Sequence, residues 1–331
     1  MSLGLTGRAP LQDRPAVNER LARAAERERS NVRQRAWPEA VKGLLLRGVC
    51  DPESPLARLR GHGPALDAIL AHVEDAWAAH VDRSGVYAST VGHVSFPPFT
   101  GVRANMMPFV LGDETTLPEE LRPYTALIDA CPLPYAEFGR VCYLTVDESE
   151  ATEGSLRPQR RGGVHTESPG LVVGDDGGHW APGTGPYPPS AFHWGRGFYD
   201  EAGEMGNYVG GIFLASNVGA STRLWNARVR AGTPASGLFG SLEHLRRPLG
   251  PGYDVPANEL VWLTDETPHE SLPLAPGTRR QFFRLVTSDV SAWYADHSTA
   301  NPLGVELPAG VRVVRGDKFE ALRAMRAEMY R

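Results

Sequence analysis

The chain has 331 residues, 41% apolar and 22% charged, with a formal net charge of −5 at pH 7. That is the composition of a globular protein with enough chain for a substantial core. The absence of a basic stripe beyond the N-terminal segment argues against a nucleic-acid partner. Cys50, Cys131 and Cys142 are too few and too scattered for a disulfide framework or a thiolate zinc site. Met1 to Pro15 hold no apolar run of signal-peptide length, and nowhere is an uncharged apolar run long enough to span a bilayer, so no membrane partner is expected and the expected location is the cytoplasm.

Residues 14–36 read as a charged helix, with Val17, Leu21, Ala24 and Ala25 near helical spacing and Trp37-Pro38 as its stop. A second amphipathic helix is predicted from about Leu66 to His80, with Leu66, Ile69, Leu70, Val73, Ala76 and Trp77 on one face. Residues 1–85 are therefore expected to form a helical buttress against a sheet. From Val86 the pattern changes to short strands, Val86 to Val94, Val102 to Val110 and Arg140 to Val146, and 36 Gly and 28 Pro leave room for many connections between them. Alternation in the third run puts Cys142, Leu144 and Val146 on one face and Tyr143 and Thr145 on the other.

Arg157, Gln159, Arg160 and Arg161 come next, and an arginine fork suits a carboxylate or phosphate. Arg160 and Arg161 are thus candidate contacts for an anionic substrate, against the reading of a solvated basic loop. The following Gly162-Gly163-Val164-His165-Thr166-Glu167 places a histidine and a carboxylate two residues apart, on one face if the chain is extended. Alone, such a pair is a weak signal. The stretch from Ser168 to about Gly206 is rich in Gly, Pro and aromatics and reads as a lid inserted into the domain. Its His179 and His193 are rival ligands.

Gly210 to Val218 and Thr222 to Val229 read as a hairpin around Gly219-Ala220-Ser221, with Asn217, Arg223, Trp225 and Asn226 as candidate pocket residues. An apolar run ending near Leu263 precedes His269, and after ten intervening residues Arg280 opens another strand in which Arg280, Phe282 and Arg284 share a face. A slip of one residue would substitute Arg279. Beyond 290, a terminal helix is predicted from about Asp317, with Phe319, Leu322, Met325 and Met329 spaced for packing.

Two histidines and one carboxylate facing a metal leave the opposite coordination positions open. The order His165-x-Glu167, His269, Arg280 resembles the iron(II)- and 2-oxoglutarate-dependent oxygenase superfamily, in the His-x-Glu form of its clavaminate synthase-like branch, over roughly residues 135 to 290. The resemblance implies a mainly β fold with flanking helices, a double-stranded β-helix or cupin-like jelly-roll barrel. One catalytic domain results: residues 1–85 as buttress, 86–290 as the core with its lid at about 168–206, and 291–331 as an extension.

It also implies Fe(II) on His165, Glu167 and His269, with the distal carboxylate of 2-oxoglutarate on Arg280 or else Arg284, and with Tyr143 or Thr145 as further cosubstrate contacts. Dioxygen and a small anionic or amino-acid-like molecule would be the other reactants, hydroxylation the default outcome, and succinate and CO2 the coproducts. Glu167 speaks against a halogenase, in which that carboxylate is replaced by a small residue. Two other readings stay open: a 2-oxoglutarate-independent iron oxygenase or metal-dependent cupin isomerase, and a non-catalytic jelly-roll ligand-binding module.

Overall fold

In the computed structural model the chain divides into two compact units, Met1–Ala79 and His80–Arg331. The structure describes residues 63–64, 67, 71, 78–152, 159–167, 172–173, 179–180, 193–203, 207–230 and 240–316. In the first unit the Asp67 amide donates to the Gly63 carbonyl at 3.1 Å, one helical turn where the sequence predicts helix. The predicted helices over 14–36 and beyond Asp317, and most of the lid between 168 and 192, lie outside the described residues. Among the described residues no helix is long and apolar enough to cross a membrane.

The second unit is mainly β. Nine of its strands form two sheets: β1 (Ala88–His93), β2 (Arg103–Val110), β3 (Val141–Glu150), β4 (Ile212–Ser216), β5 (Thr222–Leu224), β6 (Tyr253–Asp254), β7 (Glu259–Leu263), β8 (His269–Ser271) and β9 (Arg279–Val286). The larger sheet runs β1-β7-β4-β9-β3-β2 and the smaller β6-β5-β8. Every neighbouring pair is antiparallel.

The larger sheet is buried on both faces, which explains why its central strands read as apolar runs rather than as apolar–polar alternation. On one face Cys142, Leu144, Val146, Phe213, Ala215, Trp262, Phe283 and Leu285 pack under Leu117, Leu121, Tyr124, Leu127 and Ile128. Leu117 caps the 3₁₀ turn Glu114–Thr116, and the others come from a second 3₁₀ turn, Glu119–Tyr124, and a short helix α1, Thr125–Asp129. The other face carries Tyr143, Ile212, Leu214, Val261, Leu263, Phe282 and Val286, and Leu224 of the smaller sheet belongs to the same cluster. The two sheets thus face one another across this second layer, with the polar residues of β3, β5, β8 and β9 among its walls.

The predicted hairpin between β4 and β5 is not formed. β4 pairs with β7 and β9, whereas β5 pairs with β6 and β8, so the connection around Gly219 carries the chain from one sheet to the other. Both runs alternate as a hairpin would, and local pattern does not distinguish a two-strand ribbon from strands that part company.

Candidate metal and anion site

His165 and His269 are direct backbone partners. Each amide donates to the other's carbonyl at 2.9 Å, the hydrogen-bonded pair of an antiparallel bridge, so both imidazoles rise from the same face. Their ring centroids are 4.5 Å apart. The His165 segment is less regular than the predicted strand. It is held as isolated bridges to His269 and Ser241, with Leu242 donating to the Val164 carbonyl and Thr166 to that of Gly240.

In each histidine the Nδ1 faces a carbonyl two residues earlier, Gly163 at 2.7 Å and Thr267 at 2.9 Å. A carbonyl only accepts, so Nδ1 carries the proton in the neutral rings and the Nε2 lone pairs are left for a ligand. Glu167 Oε1 lies 3.6 Å from His269 Nε2. One donor atom from each of His165, Glu167 and His269 falls within 4.8 Å of the others, a group able to hold a metal ion. Burial, reinforced by the nearby Arg161 and His269, pushes the His165 imidazole well below the ordinary histidine range, favouring the neutral ring a metal requires. Burial alone would raise the Glu167 carboxyl, but the Arg284 guanidinium beside it outweighs that and holds the group well below the usual carboxylate range.

Alternation along β9 carries Arg280, Phe282 and Arg284 to the inner face, as the sequence predicts, and separates the roles of the two arginines. Arg284 donates through Nη1 to Glu167 Oε1 and through Nη2 to Thr145 Oγ1 at 3.3 Å, while its buried Nε has no partner. Arg280, 1% exposed, has no carboxylate within 4.0 Å among the described residues. It donates only to hydroxyls, Ser216 Oγ and Thr222 Oγ1, both at 3.3 Å. Ser271, the register partner of Thr222 on β8, has a buried Oγ without a partner. Burial and the proximity of Arg160 push the Arg280 guanidinium down to about 10. Arg279, the alternative in case of a slip, pairs with Glu150 at the exposed end of the strand.

Arg160 and Arg280 each lie 4.8 Å from the centroid of the Phe282 ring. Arg160 also reaches Asn105 Oδ1 at 3.4 Å and Asp147 at 3.7 Å. Arg161 is held down to about 10 by burial against the opposing pull of Glu167. Tyr143 shares the inner face of β3 with Thr145, and its buried hydroxyl has no partner.

The four pocket candidates of the β4 to β5 region are not gathered at this site. Asn217 exchanges hydrogen bonds with Gln281, its Oδ1 accepting from that amide at 2.7 Å. Arg223 pairs with Asp254 on the outer face of the smaller sheet, and Trp225 Nε1 donates to Gly250 at 2.9 Å. Asn226 Oδ1 accepts from the amides of Tyr87 and Ala88 at 2.8 and 3.0 Å. Of the rival ligands, His193 pairs with Asp289 at 2.7 Å.

Sequence reasoning missed Thr222, Ser216 and Ser271 beside Arg280, although counting by twos from Leu224 and His269 would have found Thr222 and Ser271. It also missed Asn105, and no sequence signal points there. A bulge in β2, with Met106 at φ +46°, turns the Asn105 side chain toward Arg160 and Thr145.

No protein-family model matches the chain, and no curated protein matches it. Among solved structures, two crystal structures of HygX from Streptomyces hygroscopicus show a distant likeness, one with iron bound and one with nickel and 2-oxoglutarate bound. Each has a TM-score of 0.27 and covers 54% of this chain, at 13% identity over 68% of the first and 12% over 66% of the second. At those values the likeness assigns neither activity nor ligand to this chain.

Proposed function

We propose that the protein is a non-haem iron(II) and 2-oxoglutarate-dependent oxygenase, built on a double-stranded β-helix and acting on a small anionic molecule. The observation that carries the reading is Arg280: a buried cation with no carboxylate within 4.0 Å among the described residues, beside the hydroxyls of Ser216 and Thr222, on the strand face that also reaches the histidine–carboxylate cluster. A buried guanidinium in that condition is a receptor for an oxyanion.

The residues fit both groups. Two neutral imidazoles and one carboxylate form the nitrogen and oxygen set that suits a divalent iron, manganese or zinc ion, with their Nδ1 protons already committed to carbonyls. His165, Glu167 and His269 would hold the metal. Arg280, with Ser216 and Thr222, would take the far carboxylate of 2-oxoglutarate. Together with dioxygen, the bound metal and cosubstrate would supply the oxidising power to hydroxylate an unactivated carbon, releasing succinate and CO2.

What the chain itself contributes is orientation and charge. Arg284 fixes the Glu167 carboxylate, and Thr145 fixes Arg284. Arg160 and Arg161 add positive charge beside the cluster, which favours an anionic substrate oriented by a forked contact. The apolar wall of Phe282, Leu224, Val261 and Leu263 limits water around the reacting positions.

The test is an anaerobic titration of the apo-protein with iron(II) and then 2-oxoglutarate, following the visible charge-transfer band of the chelate, alongside His269→Ala and Arg280→Ala. A band absent in the first variant and weakened in the second establishes metal, cosubstrate and both roles. Bound iron without a band turns the reading to a cosubstrate-free oxygenase or cupin isomerase. Failure to bind iron leaves a ligand-binding module.

A further inference from the structure

The residues immediately after His269 and before His165 are tied together behind the sheet. Glu270 points away from the imidazoles, as alternation in β8 requires, and its carboxylate is buried. Arg246, the first residue of the short helix α2 (Arg246–Leu249), grips it bidentately, Nη1 to Oε1 at 2.8 Å and Nη2 to Oε2 at 2.6 Å. The same guanidinium binds Glu243 through Nε at 2.6 Å and Nη2 at 2.9 Å. Glu243 Oε2 in turn accepts the Val164 amide at 2.9 Å. An unbroken chain therefore runs from Val164, one residue before His165, through Glu243 and Arg246 to Glu270, one residue after His269.

We propose that Arg246 is a positioning residue for the metal site, acting through these two carboxylates; the inference rests on the metal reading above. His165 is in an isolated bridge, so no extended ladder fixes its register against His269. His269 is held by the ladder of β8 with β5, so a slip of one residue in a bridge this short would set His165 against a neighbour of His269 and turn its imidazole off the shared face. The Glu243–Arg246–Glu270 network opposes that slip from the far face, because moving Val164 breaks its charge-assisted hydrogen bond to Glu243, which Arg246 ties to the buried Glu270 carboxylate. Gly163, at φ +77°, completes the device. A β-carbon there would sit 3.3 Å from Glu243 Oε2, so glycine both adopts the turn and leaves room for the carboxylate.

The experiment uses the full chain with Co(II) as the probe. Its affinity is measured by competition with a chromophoric chelator, its coordination by the visible d–d spectrum, and the stability of each apo-variant by urea unfolding. Arg246→Gln is expected to weaken Co(II) binding by about tenfold or more and to alter the spectrum, with Arg246→Lys intermediate. Arg246→Gln combined with Glu270→Gln removes the buried charge that would otherwise be left with Arg223 alone, at 3.7 Å. It should recover the apo unfolding midpoint while Co(II) affinity stays low.

Wild-type affinity and spectrum in that double variant would overturn the proposal, as would an affinity loss in Arg246→Gln that merely tracks the fraction unfolded. If the wild-type chain itself binds no Co(II), the metal reading falls and this inference with it, a result distinct from a wild type that binds and variants that bind equally well.

Discussion

Arg284 and Glu167 form an ion pair inside the candidate site, Nη1 to Oε1, between a guanidinium that is 3% exposed and a carboxylate proposed as a metal ligand. The pair accounts for the depressed Glu167 carboxyl and gives the apo-protein a substitute for the metal's charge. Arg284→Gln should therefore destabilise the apo-protein by about 3 kcal/mol, the usual scale for stranding one partner of a buried pair. Saturating zinc should restore more stability to the variant than it adds to wild type. Urea unfolding with and without zinc measures both; equal increments from metal would show that Arg284 and the ion do not share Glu167.

Arg280 predicts the opposite pattern. Among the described residues no carboxylate lies within 4.0 Å of this buried guanidinium, so Arg280→Met replaces a cation held only by two hydroxyl hydrogen bonds and the more distant Asp147 with an apolar chain of similar length. Apo stability should hold or rise. Affinity for 2-oxoglutarate should fall by at least about tenfold, the loss of more than about 1.4 kcal/mol, while metal affinity is unchanged. Thermal unfolding paired with the anaerobic titration checks this, and a destabilised variant with full cosubstrate affinity would make Arg280 a structural residue.

Acid should weaken the apo-protein in two stages. The folded-state pKa of His165 lies well below its ordinary value, so below about pH 6.5 the unfolded chain binds a proton that the folded chain refuses. Stability from this group is complete above about pH 6.5 and declines as pH falls toward the depressed folded value. Glu167 acts in the same direction below about pH 4.3, where the unfolded carboxyl protonates first. Unfolding free energies across about pH 2 to 8 should fall on the acid side by up to about 1.4 kcal/mol per pH unit per proton, and His165→Gln should flatten the upper stage.

Asn226 separates architecture from recognition. Its Oδ1 takes two backbone amides that lead into β1, so Asn226→Ala should cost about 2 kcal/mol by leaving both donors unsatisfied. Cosubstrate affinity should be unaffected. Chemical unfolding and the anaerobic titration on the same variant decide it, and a loss of cosubstrate binding at unchanged stability would return Asn226 to the site.

How much of this was legible beforehand follows from the range over which each pattern acts. Period-two alternation is local, and it correctly assigned the faces of β3 and β9: Cys142, Leu144 and Val146 against Tyr143 and Thr145, and Arg280, Phe282 and Arg284 together. The residue types and order of His165, Glu167 and His269 were sufficient to nominate a cluster, because few side chains can ligate a metal and the spacing brings them to strand ends.

The partners of those residues were not legible. Which sheet β5 joins, that Arg284 meets Glu167 while Arg280 donates to hydroxyls, and that Asn105 turns inward at a bulge are outcomes of pairing between segments 40 to 117 residues apart. The sequence by itself determined a β-rich chain, the inner face of its last long strand and the residues able to bind a metal, since these depend on side-chain chemistry and a two-residue period. Only the tertiary structure decided which arginine pairs with the carboxylate and which donates to hydroxyls, because that choice depends on the register of strands and on which side chains are buried together in low dielectric.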